Sequence, residues 1–298
     1  MNVPLRELAT DSVGDGNVAG RLAALRLEFA AAPEGETHVA RQYASYPFHI
    51  CRPFRYADDP AGMATVYTQS ASGGIYEHER LSIAIETQAG AAAHVTTQAS
   101  TIVHEMQHGL ARQTIDLHAG PDSWLEFLSD PLILFPDARI ETRLRLVAGA
   151  GARAIVGDAF LAHDPKGKGR PFGRVTGEIR IEREDGGTIA VDRLSVSGAD
   201  FCKSLRQADR GFATHGSMLM LAPEDESARA LDAIRGLLAA PQETPGEIYA
   251  GVSLLPQGAG LWTRAVARDG AALRRTMLAI WSAMRESMTG IAPAPRRK

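Results

Sequence analysis

The chain has 298 residues, of which 45% are hydrophobic and 22% charged, with a formal net charge of −3. These are the values of a folded globular chain; they exclude wholesale disorder, and a slightly acidic balance with no basic run excludes a nucleic-acid footprint. Two cysteines are too few for a disulfide framework, and the charged start (Arg6, Glu7, Asp11) and the absence of a long apolar run predict neither signal peptide nor membrane helix, so a reduced, cytoplasmic setting is expected.

In chain order, residues 1–16 are expected to fray. Leu25, Leu27 and Phe29 then alternate with Arg26 and Glu28, the period of two that puts one strand face on a core and the other in water. Within Tyr46–Pro53 a strand sets His49 and Cys51 on one side, where they can take a borderline metal such as Ni(II); a partly buried histidine next to a small buried thiol is the simpler account. Val95–Val103 is rich in Thr and Val, which suits strands better than helices. Ile140, Thr142, Leu144 and Leu146 alternate with Arg139, Glu141, Arg143 and Arg145, and Ile179 and Ile181 repeat the pattern within Glu178–Glu182. Asp164–Gly173, with its Lys and Gly residues, reads as an exposed loop, and Asp185-Gly186-Gly187 as a hairpin turn.

Two helices are predicted late in the chain. Ala228, Leu231, Ile234 and Leu237 recur every three residues, with Pro241 soon after. Leu273, Met277, Ile280, Trp281 and Met284 form a second stripe, with Arg274, Arg275 and Arg285 assigned to the opposite face. Packing against a sheet accounts for both stripes. Residues 286–298 are expected to fray, and neither a fixed-period repeat nor a domain boundary is visible. The residues alone therefore predict one mainly β unit with a few helices over 1–298.

Few patterns carry chemistry. His104-Glu105-Met106-Gln107-His108 spells H-E-x-x-H, which on a helix puts two zinc ligands on one face with a general base between them; Glu126 or His118 would be the third ligand. Thr101-Ile102-Val103 before it favours a strand, Gly109 after it weakens a helix, and Thr114 stands where a further His would follow. A strand running into a turn is the expectation, and a zinc-dependent hydrolase the alternative. Ser70, Ser72 and Ser195 lie in no G-x-S-x-G context, and no Walker pattern is present, so the chain is not expected to hydrolyse nucleotides.

A series of segments in fixed order resembles the UreD (UreH) family of urease accessory proteins over nearly the whole chain. They are Gly20-Arg21-Leu22, Tyr46–Pro53, Gln69–Ile75, His94–Thr101 with its T-T-Q-A-S-T run, Ala111-Arg112-Gln113, Trp124–Phe135, and Ala279–Arg285 with its W-x-x-x-R spacing. The chain departs from the family pattern at Tyr76-Glu77-His78-Glu79 and across Ala162–Arg174. The resemblance implies a mainly β, β-helix-like architecture of stacked sheets with a few α-helices, including an amphipathic C-terminal one. It implies no enzymatic activity and no tightly bound cofactor, but a scaffold for nickel insertion into apo-urease, bound to the helical accessory protein UreF and through it to the GTPase UreG. Transient Ni(II) would pass along an internal route, for which His49, Cys51, His94 and Glu126 are the candidate ligands. Neither nucleic acid nor membrane is an expected partner.

Overall fold

A computed structural model describes residues 20–207, 211–241, 246–293 and 296, so the expectation for residues 1–16 lies outside the described residues. The first alternating run is strand β1 (Leu22–Ala31), with Leu25, Leu27 and Phe29 buried. It is followed by β2 (Thr37–Ala44), β3 (Phe48–Ile50), β4 (Ala64–Ser70), β5 (Arg80–Thr87), β6 (Ala92–Thr97), β7 (Thr101–Val103), β8 (Ala111–Ala119), β9 (Trp124–Leu128) and β10 (Leu132–Leu134). Next are β11 (Arg139–Ala148), β12 (Arg153–Ala162), β13 (Arg174–Arg183), β14 (Thr188–Ser197), α1 (Gly198–Gln207), β15 (Thr214–Leu221), α2 (Glu224–Ala239), β16 (Ile248–Leu254), β17 (Gly260–Ala267) and α3 (Gly270–Thr289).

From β4 to β13 the chain winds as a β-solenoid, laying one strand in each of two facing sheets per coil. Parallel pairing stacks Arg80, Arg112, Glu141 and Thr176 in the smaller sheet and Ala64, Ala93, Leu125 and Ala154 in the larger. The small sheet runs β14-β13-β11-β8-β5-β1-β2 and the large one β16-β17-β15-β12-β9-β6-β4-β3, with β7 and β10 attached beside β12. The stacked-sheet fold implied by the resemblance is thus present. The coil is invisible as a fixed period because successive coils differ in length: backbone pairing demands register within the sheets and tolerates turns of any size between them.

The core lies between the sheets. Leu27, Ile85, Leu117 and Leu146 from the small sheet meet Val66, Val95, Phe127 and Val156 from the large one. The outer face of the large sheet is covered by α2 and α3, through Ile155, Met218 and Met220 against Ile234, Ile280, Trp281 and Met284. Among the described residues no helix is long and apolar enough to cross a membrane.

Val95–Val103 is strand as expected, in two pieces: the chain leaves the sheet at Gln98–Ser100 between β6 and β7. Three sequence expectations are corrected here. In α2, Ala228 and Leu237 are exposed, and Ser227, Ala230, Leu231 and Ile234 form the buried face; a strict three-residue spacing drifts around a helix of 3.6 residues per turn. Residues 286–289 do not fray but form the last turn of α3, and Arg296 packs on Asp59 at 3.0 Å.

The third correction concerns Arg285, which is fully buried on the sheet-facing side of α3 and not on its polar face. Its Nε and Nη2 donate to the two carboxylate oxygens of Glu126 in β9 at 2.9 and 2.7 Å, and Nη1 bonds Asp59. Breaking such a buried pair leaves an uncompensated charge, which costs about 3–5 kcal/mol. Burial alone would raise the Glu126 pKa, but Arg285 and His94 override it and hold the carboxyl at about 2. A depressed folded value contributes stability above the unfolded carboxylate value of about 4.3 and loses it as pH falls through the folded one. Urea unfolding of Arg285→Ala is therefore expected to show a loss of about 3–5 kcal/mol that is constant from pH 8 to 5 and shrinks below about pH 4.

Candidate functional site

The run Thr96-Thr97-Gln98 ends β6 and ties adjacent coils together. The Thr96 hydroxyl donates to the Leu128 carbonyl at 2.6 Å, and the Thr97 hydroxyl donates to Asp130 at 3.1 Å while accepting from the Asp130 amide at 2.8 Å. The Gln98 side chain pairs with Gln69 of β4. Short polar side chains are needed here because the strands stop and their neighbours' last carbonyls and amides need partners.

Beside these turns the two sheets separate around a cavity of about 230 Å³. Its interior is apolar, with Leu25, Ile85, Val95, Ile115, Phe127 and Leu144 among the lining residues. Gln69, Thr97, Gln98, Asp130, Asp158 and Glu178 are among the polar residues that also line it. Asp158 lies on the inner face of β12, on the same side as the core residues Ala154 and Val156. Burial raises its pKa, the nearby Asp192 charge adds to that, and the Ala159 amide opposes it. No other side chain among the described residues forms a hydrogen bond or ion pair with it, so a cation entering the cavity meets an uncommitted carboxylate.

The candidates named from the sequence divide into two groups. His94 and Glu126 are brought together, with His94 Nδ1 and Glu126 Oε2 2.6 Å apart on the outer face of the large sheet. Burial lowers the His94 pKa, so the ring is neutral and its Nδ1–H donates to the carboxylate. Trp124 and Trp281 also donate to Glu126, each at 3.2 Å. With Arg285 added, both oxygens are occupied, and a metal there would have to displace a guanidinium. His49 and Cys51 are not brought to this cluster. His49 is exposed and pairs in register with Gln69, whereas His94 pairs with Thr65, on the order of 13 Å back along β4. Cys51 is partly buried and desolvation raises its pKa.

The H-E-x-x-H alternative fails on geometry. Residues 104–110 are loop between β7 and β8. His104 bonds the Gly73 carbonyl at 2.9 Å and stacks on Tyr76, whereas Glu105 pairs with Arg170 at 2.8 Å. The His108 amide donates to Glu77 at 2.6 Å. His118 stands on the outer face of the small sheet, between Glu86 and Glu184. Among the described residues no group of three or more His, Cys, Asp or Glu side chains is arranged to hold a metal ion.

The fold and this site define a β-solenoid with a polar-edged cavity between its sheets and a buried ionic clamp outside them. The family model of the UreD urease accessory proteins matches residues 21–298. Urease accessory protein UreD 1 of Methylorubrum extorquens (strain PA1) is 39% identical over 88% of this chain and 87% of its own. The UreD 1 protein of Pseudomonas syringae pv. syringae (strain B728a) is 36% identical over 91% and 94%, and that of Bradyrhizobium sp. (strain BTAi1 / ATCC BAA-1182) 32% over 93% and 94%. The chain belongs to the UreD family of urease accessory proteins, which places its role in urease maturation.

Asp158 was missed in the sequence although a signal existed: it is a charged residue at a core-facing position of an alternating strand. Because its pKa is raised, the folded state holds the proton more tightly than the unfolded chain, and ionisation lowers stability as pH rises. Asp158→Asn is expected to melt above the wild type at pH 8, with the difference closing toward about pH 4, in thermal melts across that range.

Proposed function

We propose that this chain conducts Ni(II) toward apo-urease, working as a scaffold and not a catalyst, in a complex with the helical accessory protein UreF and, through it, the GTPase UreG. The observation that carries this reading is the cavity between the sheets with Asp130 and Asp158 in its lining. Transfer needs ligands that release the metal as readily as they take it. One or two carboxylates with water meet that need, whereas a closed set of imidazoles and thiolates would retain nickel. The named relatives, urease accessory proteins, support the destination. The sequence carries no Walker pattern, in keeping with nucleotide chemistry residing in a partner.

This reading shifts the metal assignment. Asp130 and Asp158 are the inner ligands, His49 and Cys51 remain as outer ones near the large-sheet edge, and His94 and Glu126 hold α3 in place. The chain works in the cytoplasm, where the Cys51 thiol stays reduced.

The test is nickel content per purified urease after co-expression with the remaining accessory proteins. Omitting this chain is expected to abolish loading. Asp158→Asn, which removes one ligand charge, is expected to lower it about tenfold, the equivalent of ~1.4 kcal/mol, while co-purification with the partners persists. Loading that is unchanged without the chain would overturn the reading.

A further inference from the structure

The outer face of the small sheet carries its charges unevenly. Strands β5, β8, β11 and β13 run parallel, so their starts form one rim of the face. Arg80, Arg112, Arg139 and Arg174 stand there, each the first or second residue of its strand and on the side that also carries His118. The row toward the other end of the same face is Glu28, Glu86, His118, Val147 and Glu182, about 20 Å away along the strands.

The carboxylates around this rim are committed elsewhere. Glu141 is shared by Arg112 at 3.4 Å and Arg143 at 2.6 Å. In the loops that lead into these strands, Glu77 accepts the amides of His108 and Gly109, and Glu79 pairs with Arg21 at 2.9 Å. Glu105 and Asp137 both hold Arg170, and Asp164 accepts the amides of Lys166, Lys168 and Arg170. Asp200, at the start of α1, accepts from the Ser197 hydroxyl at 2.6 Å. Among the described residues Arg80, Arg139 and Arg174 form no ion pair; Arg139 donates to the Gln107 carbonyl and Arg174 to the Ser195 hydroxyl, each at 3.2 Å. Lys166 and Lys168 are exposed beside them in the loop that enters β13. The rim is therefore a strip of cations whose neighbouring acids are already used.

We propose that this rim docks a short acidic segment of a partner protein, with its carboxylates on the arginines and an adjoining apolar side chain on Leu22. Three strand spacings make the rim about 14 Å wide, the reach of about four extended residues. Guanidinium forks match carboxylates in two parallel hydrogen bonds, which favours arginine for this task. Leu22 is 72% exposed and stands beside Arg80 in register, an apolar contact that a protein side chain can cover. A nucleic-acid duplex or an anionic membrane is broader than the rim and would also lie on Glu28, Glu86 and Glu182, whereas a segment laid across the strand starts avoids them. The two stretches at which the chain departs from the family pattern, Tyr76–Glu79 and Ala162–Arg174, supply Glu77, Glu79, Asp164, Arg170 and Arg174 to this region. The proposal is independent of the nickel-passage reading.

The test is fluorescence anisotropy of the purified full-length chain with a labelled peptide of five glutamates ending in leucine. Binding is expected at low ionic strength and to weaken steeply as salt is raised. Arg80→Ala combined with Arg174→Ala is expected to weaken it about tenfold or more. Leu22→Ser is expected to cost about threefold with this peptide and nothing with one that lacks the leucine. Arg41→Ala combined with Arg145→Ala, which removes two cations nearer the acidic end of the same face, is expected to leave the affinity unchanged. These side chains are exposed, and thermal melts of each variant check that the fold is retained. Absence of binding, affinity insensitive to Arg80 and Arg174, or an equal loss in the Arg41 and Arg145 variant overturns the proposal. Equal binding of phosphatidylglycerol vesicles or oligothymidylate through Arg80 and Arg174 also overturns it, since the rim is then a general polyanion surface. Binding seen only after residues 1–19 are removed would assign the rim to the chain's own amino-terminal segment, and the partner reading then fails.

Discussion

The buried pair between Arg285 and Glu126 holds the two parts of this molecule together. Glu126 sits in β9, in the middle of the large sheet, and Arg285 about four turns into the last helix. Removing both charges from water is expensive, and what offsets it is geometry: a bidentate guanidinium, two indole donors and an imidazole on one carboxylate. Asp59 balances Arg285, and Arg296, held between the Tyr56 and Trp281 rings, balances Asp59 in turn. An apolar contact would tolerate sliding of α3 across the sheet. This network does not, because every donor has one acceptor position.

Two carboxylates on opposite faces of the same sheet show how environment divides their work. Glu126 is surrounded by donors, held ionised to about pH 2, and has no coordination site left. Asp158 is desolvated without such donors, and its affinity for protons is raised. The same imbalance that favours a proton favours a cation, provided it can shed water. On the proposed reading, the underpartnered carboxylate inside the sandwich is the one suited to transfer, whereas the saturated one outside it is a fastener.

The outer face of the small sheet is built differently. Arg145 with Glu182, Arg193 with Glu178 and Arg112 with Glu141 form cross-strand ion pairs at 2.8, 2.7 and 3.4 Å. Exposed pairs of this kind contribute little individually. Their effect is to keep a broad, flat sheet in water while the opposite face packs the core. The loop from His104 to Leu110 belongs to this economy as well, since its histidines and Glu105 satisfy neighbouring backbone and Arg170 instead of converging.

The sequence by itself determined what is local. Alternation in β1, β11 and β13 identified strands and their buried faces, Asp185-Gly186-Gly187 identified the hairpin, and the helical stripes identified α2 and α3, because periods of two and 3.6 are set by backbone geometry within a few residues. The T-T-Q-A-S segment and its companions pointed to the family, and their polar residues line the cavity edge. Only the tertiary structure decided which charges are buried. Arg285 reads as one more arginine on a helix whose basic neighbours face solvent, and its partners lie 159 and 226 residues away. The coil that brings Arg80, Arg112, Arg139 and Arg174 to one rim, and separates His49 and Cys51 from His94 and Glu126, depends on register between distant strands. Hydrophobic alternation says which face of a strand is buried, but not which strand lies beside it.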